Sequence, residues 1–152
     1  MPRFLLLTLL LLAASAGSAA PLPYDESADA KAAVRQALAS ANSSKLPVLV
    51  IFGANWCEDC RALDRALHTL QNAELIQANF EVVKVDVGNF NRNLDLAAAY
   101  GNPIKRGIPA AVVLSPHNQV LYATRAGELA NARRMSESGI YDFFKAAAQA
   151  AR

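Results

Sequence analysis

Cysteine is nearly absent: Cys57 and Cys60 are the only two in 152 residues. That excludes a small scaffold stapled by several disulfides, and it leaves each of the two no intrachain partner except the other. Charge of one sign is also scarce. The formal balance is +2, too small to point to nucleic acid or an anionic membrane as partner. His68 and His117 are the only histidines, and neither stands at a convincing ligand spacing from the cysteines, so a zinc site lacks its remaining ligands. No glycine-rich phosphate loop follows a strand, Asp64 and Asp86 form no recognisable hydrolytic pair, and Tyr100, Tyr122 and Tyr141 are scattered over different elements rather than forming a base-stacking platform. Internal repeats, heptads and long low-complexity tracts are missing as well.

The one long apolar run is at the start. Met1-Pro2-Arg3 is a short basic opening, Phe4 to Ala14 is almost wholly apolar, and Ser15 to Ala20 is small. A cut after Ala20 would leave Ser18 and Ala20 at the two small-residue positions of a secretory signal. The expected organisation is therefore a signal peptide over residues 1–20 and one domain over 21–152, with no stable membrane span after cleavage. An uncleaved anchor or a buried helix are the other readings of this segment, though its apolar part is short for a span. Cleavage removes only Arg3 and lowers the balance from +2 to +1. Export would place the cysteines where disulfides persist or turn over, in the periplasm or outside the cell.

Pro21 to Asp25 reads as an exposed lead-in. A helix is expected from about Ser27 to Ala39, its stripe made by Ala30, Val34, Ala37 and Leu38, and ended by a turn at Asn42-Ser43-Ser44. That tripeptide also fits a glycosylation sequon, which matters only in a host that glycosylates secreted proteins; a plain polar turn is the favoured reading. Val48 to Phe52 is apolar without alternation, the pattern of an interior strand. A helix starting near Cys57 should reach about Leu70, with Leu63, Ala66, Leu67 and Leu70 inward. A short helical or irregular turn at Ala73 to Ala78 precedes a strand at Phe80 to Val87. A short helix over Leu94 to Tyr100, a strand at Ile108 to Leu114, a hairpin return at Val120 to Thr124 and a last helix from Ile140 to about Ala150 complete the order. Strand–helix–strand followed by a hairpin gives a small mixed sheet covered by helices, an α/β layer sandwich.

The cysteines stand at the strand-to-helix turn Ala54-Asn55-Trp56-Cys57-Glu58-Asp59-Cys60. There they can close a very small disulfide ring that another thiolate can reopen. Cys57, at the helix start where free N–H groups favour negative charge, is the candidate nucleophile; Cys60, one turn on, is the candidate resolving thiol. Glu58 and Asp59 oppose thiolate formation at the neighbouring sulfur, yet also suit a helix N-terminus on structural grounds alone.

Trp56-Cys57-Glu58-Asp59-Cys60 resembles the active site of the thioredoxin family. Val48 to Phe52 is similar to its delivering strand, Val83-Lys84-Val85-Asp86 to the next strand, Gly107-Ile108-Pro109 to its cis-proline segment, and Ala123-Thr124-Arg125-Ala126-Gly127 to the end of its hairpin. The resemblance covers about residues 27–150. It implies a thioredoxin-like three-layer α/β/α sandwich with a central mixed sheet and thiol–disulfide exchange with protein cysteines. It requires no diffusible cofactor and no metal, but does require a partner that regenerates the redox state. It further implies that Trp56 forms a lid beside the sulfurs and that a cis Pro109 sets the Ile108 backbone beside Cys57. Lys84 would extend toward Cys60 or stay a solvated strand charge, and Gly127 would admit a partner backbone or serve as a turn glycine. Two departures stand out. Ile51 occupies the place of the family's buried acid, and Glu58-Asp59 replaces glycine–proline. The alternative function is a binding or assembly factor with a structural or vestigial disulfide.

Overall fold

A computed structural model describes residues 21–152; the signal segment expected over residues 1–20 lies outside the described residues. The helices are α1 (Ala30–Ser44), α2 (Glu58–Leu67), α3 (Leu70–Asn79), α4 (Leu94–Ala99) and α5 (Glu137–Ala150), and the strands are β1 (Val48–Gly53), β2 (Glu81–Asp86), β3 (Ala110–Leu114) and β4 (Val120–Ala123). Single 3-10 turns lie at Pro103–Arg106 and Ala132–Arg134. Sheet order is β2-β1-β3-β4, with β1 parallel to β2 and antiparallel to β3, and β3 antiparallel to β4. This is the expected three-layer sandwich with a mixed sheet.

The unalternating run at β1 is explained by cover on both faces. Val48, Val50 and Phe52 pack with Val34, Ala37 and Ala41 of α1 and with Leu96 and Ala97 of α4. Leu49 and Ile51 turn the other way, toward Leu63 and Leu67 of α2, Ile76 of α3, and Ile140 and Phe144 of α5. A strand in this position can tolerate polar side chains only at its ends, and the functional turn begins where β1 runs out.

Local chemistry moves several expected boundaries. The first helix starts at Ala30 because the Asp29 carboxylate accepts the Ala32 N–H at 2.9 Å. It continues through Asn42-Ser43-Ser44 and stops at Lys45, whose left-handed φ of 64° lets its N–H reach Ala41 O at 2.8 Å. The helix expected to run to Leu70 breaks after Leu67. Ala66 O there accepts from the Thr69 hydroxyl at 2.8 Å and the Asn72 amide at 3.0 Å, and a full helix, α3, replaces the expected short turn. The last helix begins earlier, at Glu137, with Ser136 Oγ accepting the Gly139 N–H. The lead-in is also corrected: Tyr24 is buried against the sheet, not exposed.

Candidate active site

Gly53 ends β1, and its carbonyl accepts the Val87 N–H at 2.9 Å, so the chain leaves the sheet beside the end of β2. The turn Ala54-Asn55-Trp56 closes through the Cys57 N–H to Ala54 O at 3.2 Å, and Cys57 becomes the N-cap of α2. Cys57 and Cys60 form a disulfide with Cα atoms 5.2 Å apart. The Cys60 N–H points at Cys57 Sγ from 3.1 Å, and the Ile108 carbonyl oxygen stands 3.7 Å from the same sulfur. A free N–H of the first helical turn aimed at Cys57 is the arrangement that favours a thiolate there.

The two sulfurs are not equivalent. Both cysteines are buried, but Cys57, at 5% exposure, lines an open groove with Trp56, Phe90, Arg106, Ile108 and Arg133, while Cys60, at 1%, forms no part of it and packs with Phe52 and Tyr24. Trp56 is 53% exposed; its indole N–H donates to Gly88 O at 2.9 Å and its ring meets Phe90 edge-on at 6.3 Å. It therefore forms a wall of the groove, with Phe90 extending the apolar surface. The Ile108–Pro109 peptide is cis. Gly127 has φ of +76°, and a Cβ there would lie 2.7 Å from Arg106 O. The close approach at Gly127 is thus made by the chain's own backbone, at the foot of the groove.

Glu58 and Asp59 are held by Arg133. Its guanidinium pairs with Glu58 and lies 3.7 Å from Asp59 Oδ1, which also accepts the Arg133 N–H at 3.0 Å. The two carboxylates beside the sulfur thus come with a cation. Lys84 does not terminate at Cys60: it pairs with Asp64 of α2, one turn beyond that cysteine, and lies in register with Ile51 across β1 and β2. Asp86, at the end of β2, is buried with neither carboxylate oxygen hydrogen-bonded, and Arg92 Nη1 stands 3.3 Å from it.

Tyr24, Asn55, Asp64, Phe90 and Arg133 were not among the residues that sequence reasoning selected. Asn55 holds the N-terminal segment over the turn: its amide accepts the Tyr24 N–H at 3.0 Å and donates to Tyr24 O at 2.8 Å and to Glu26 at 3.0 Å. Arg61 steadies the turn from the other side by donating to Asn55 O at 2.7 Å. Only Asp64 left a sequence signal, its placement four residues after Cys60. Among the described residues, no three His, Cys, Asp or Glu side chains gather in a way that could hold a metal, and no helix is long and apolar enough to cross a membrane.

Solved structures share this fold. A disulphide isomerase from Xylella fastidiosa Temecula1, known from its crystal structure, is 57% identical over 85% of this chain and 98% of its own, with a TM-score of 0.83. A thioredoxin from Thermus thermophilus shares the fold at 23% identity, with a TM-score of 0.53 over 76% of this chain and 81% of its own. A DsbH oxidoreductase does so at 18% identity and 0.54, over 77% and 80%. No curated protein matches the sequence. With an intact pair at the strand-to-helix turn, the site is that of a thiol–disulfide oxidoreductase. The family described as thioredoxin-like matches residues 29–116, more than half of the sequence, and to that family the chain belongs.

Proposed function

We propose that the protein exchanges disulfides with protein clients outside the cytoplasm, Cys57 attacking and Cys60 resolving. The observation that carries this reading is the asymmetry of the pair. Both cysteines are buried, but only Cys57 borders the groove and receives a backbone N–H, while Cys60 lies behind it in the core. In the reduced enzyme, the Cys57 thiolate attacks one sulfur of a client disulfide. The other client sulfur leaves as a thiolate and a mixed disulfide forms. Cys60, deprotonated, then attacks Cys57 Sγ; the mixed disulfide breaks, the second client sulfur departs, and the Cys57–Cys60 bond is restored. Two electrons have passed from enzyme to client, and a dithiol partner must return them. If a client thiolate attacks the mixed disulfide instead, the client is rearranged and the enzyme leaves reduced.

Trp56 and Phe90 would seat an apolar client side chain, and the Ile108 backbone would pair with an extended client segment. Glu58 and Asp59 beside the sulfur, although joined to Arg133, favour a reductase or carrier of intermediate potential over a strong oxidant. The isomerase name of the 57% identical relative supports the same direction. The test is dithiothreitol-driven reduction of insulin and reactivation of a scrambled protein. Both should be present in the native protein and lost in Cys57→Ser, and Cys60→Ala should accumulate covalent client adducts. Equal turnover in native and Cys57→Ser proteins overturns the enzyme reading. A reduction potential near −120 mV overturns its direction.

A further inference from the structure

Gly53 is bare because two other groups share the space its side chain would need. A Cβ built there overlaps the Tyr24 phenol oxygen and lies 3.0 Å from Cys60 Sγ, so the hydroxyl and the sulfur are neighbours around one missing methyl. Tyr24 reaches this place from outside the sheet-and-helix framework. The Asn55 amide fastens its backbone in both directions, and Asn55 itself stands two residues before Cys57. The same turn that carries Cys57 therefore also fixes the segment whose phenol shares the Gly53 corner with Cys60. We propose that Tyr24 is a positioning residue for the second half of the exchange, its hydroxyl donating a hydrogen bond to the Cys60 thiolate once the disulfide is open.

Cys60 needs such help. A thiol enclosed by Phe52, Ala54 and the α1 face gives up its proton reluctantly, and the carboxylates nearest this corner act in the same direction. Those facing the phenol are Asp64 from α2 and Asp86 from β2, countered in part by Lys84 on Asp64 and Arg92 on Asp86; Glu26, on the tyrosine's own segment, is turned to the Asn55 amide. Burial first, and then Asp64 and Asp86, push the Tyr24 phenol upward. It thus keeps its proton throughout the working range and serves as a donor rather than a base.

The proposal rests on the assignment of Cys60 as the resolving thiol, and its test separates the two. In Cys57→Ser protein, the only thiol is Cys60, and its ionisation is followed by thiolate absorbance near 240 nm with and without Tyr24→Phe. Loss of a hydrogen bond to a charged sulfur should reduce the thiolate population on the rising limb roughly tenfold. In the protein with both cysteines, Tyr24→Phe should slow release of a preformed Cys57 mixed disulfide by a similar factor while leaving the Cys57 attack rate unchanged. Identical Cys60 titrations in the two folded proteins overturn the role of Tyr24, whatever the turnover. A mixed disulfide formed on Cys60 rather than Cys57 overturns the assignment beneath it. Should Tyr24→Phe fail to fold, Asn55→Ala keeps the phenol but removes both backbone fasteners, and it should move the Cys60 titration in the same direction; no movement there is equally decisive against the proposal.

Discussion

Gly53→Ala probes the corner shared by β1, Tyr24 and Cys60. No left-handed φ holds this glycine in place, so an alanine backbone is acceptable there, and in an empty space the change would stabilise by about 0.4–1 kcal/mol through the unfolded chain. The space is not empty. The new methyl overlaps the Tyr24 phenol, and its 3.0 Å approach to Cys60 Sγ is too close for that sulfur to stay still. Overpacking of this kind costs about 1–3 kcal/mol, so the net expectation is a loss of about 1–2 kcal/mol. Urea unfolding of the oxidised protein reads it directly. The informative comparison is with Tyr24→Ala, where the phenol is gone and only the sulfur contact remains. Gly53→Ala should cost markedly less in that background, giving a coupling of about 1 kcal/mol between the two sites. A Gly53→Ala protein as stable as the parent would refute the reasoning, as would one equally destabilised in both backgrounds.

The tyrosine also has a signature at high pH. Its phenol titrates near 10.0 when unfolded and higher when folded, so above about pH 10 the unfolded chain has released a proton that the folded one keeps, and stability falls as pH rises. Tyr100 and Tyr122, also raised by burial, contribute in any variant that keeps them, so Tyr24→Phe should show a shallower alkaline decline rather than none, measured as urea midpoint against pH. Arg133→Ala removes the cation from Glu58 and Asp59. All the groups but Asp59 are half exposed or more, so the effect should stay below about 1 kcal/mol. The expected results are a slower Cys57 attack, a reduction potential more negative by no more than about 20 mV, and a difference that shrinks in high salt; a shift to more positive potential contradicts the assignment.

The parts of the site that neighbours in sequence determine were legible before the fold was known. Cys57 and Cys60 sit one helical turn apart after an unalternating apolar run, and both the turn and the buried strand follow from that short stretch. What escaped depends on long-range pairing. Tyr24 is a single aromatic after Pro21-Leu22-Pro23, with no periodicity to mark it as inward, and its burial is fixed by an asparagine 31 positions later. Arg133 lies in a polar stretch that reads as loop, and its partners Glu58 and Asp59 are 75 and 74 positions away. The break between α2 and α3 was hidden for a different reason. Leu63, Leu67 and Leu70 keep helical spacing straight through it, and only the hydrogen bonds of Thr69 and Asn72 to Ala66 O show why the helix restarts.

Ile51 first reads as a missing acid, yet the surrounding geometry accounts for an apolar residue there. Its side chain is enclosed among Leu49, Leu63 and Phe144, and a carboxylate at that depth would have to be desolvated almost entirely. Lys84, its neighbour across the sheet, still has a negative partner, but that partner is Asp64 on α2, where some solvent reaches both groups. An acid on the helix, partly open to solvent, pairs with Lys84 at a lower desolvation cost than one at position 51 would carry. On the opposite face of the sheet, where Cys60 packs, the polar group that shares its corner is neutral: a phenol that can donate a hydrogen bond and that its surroundings keep protonated. On the proposed roles, a Cys60 thiolate stabilised by a neutral donor does not depend on the ionisation of an acid at position 51. Its ability to resolve should therefore follow the titration of Cys60 across neutral pH, with no inflection from an acid at position 51.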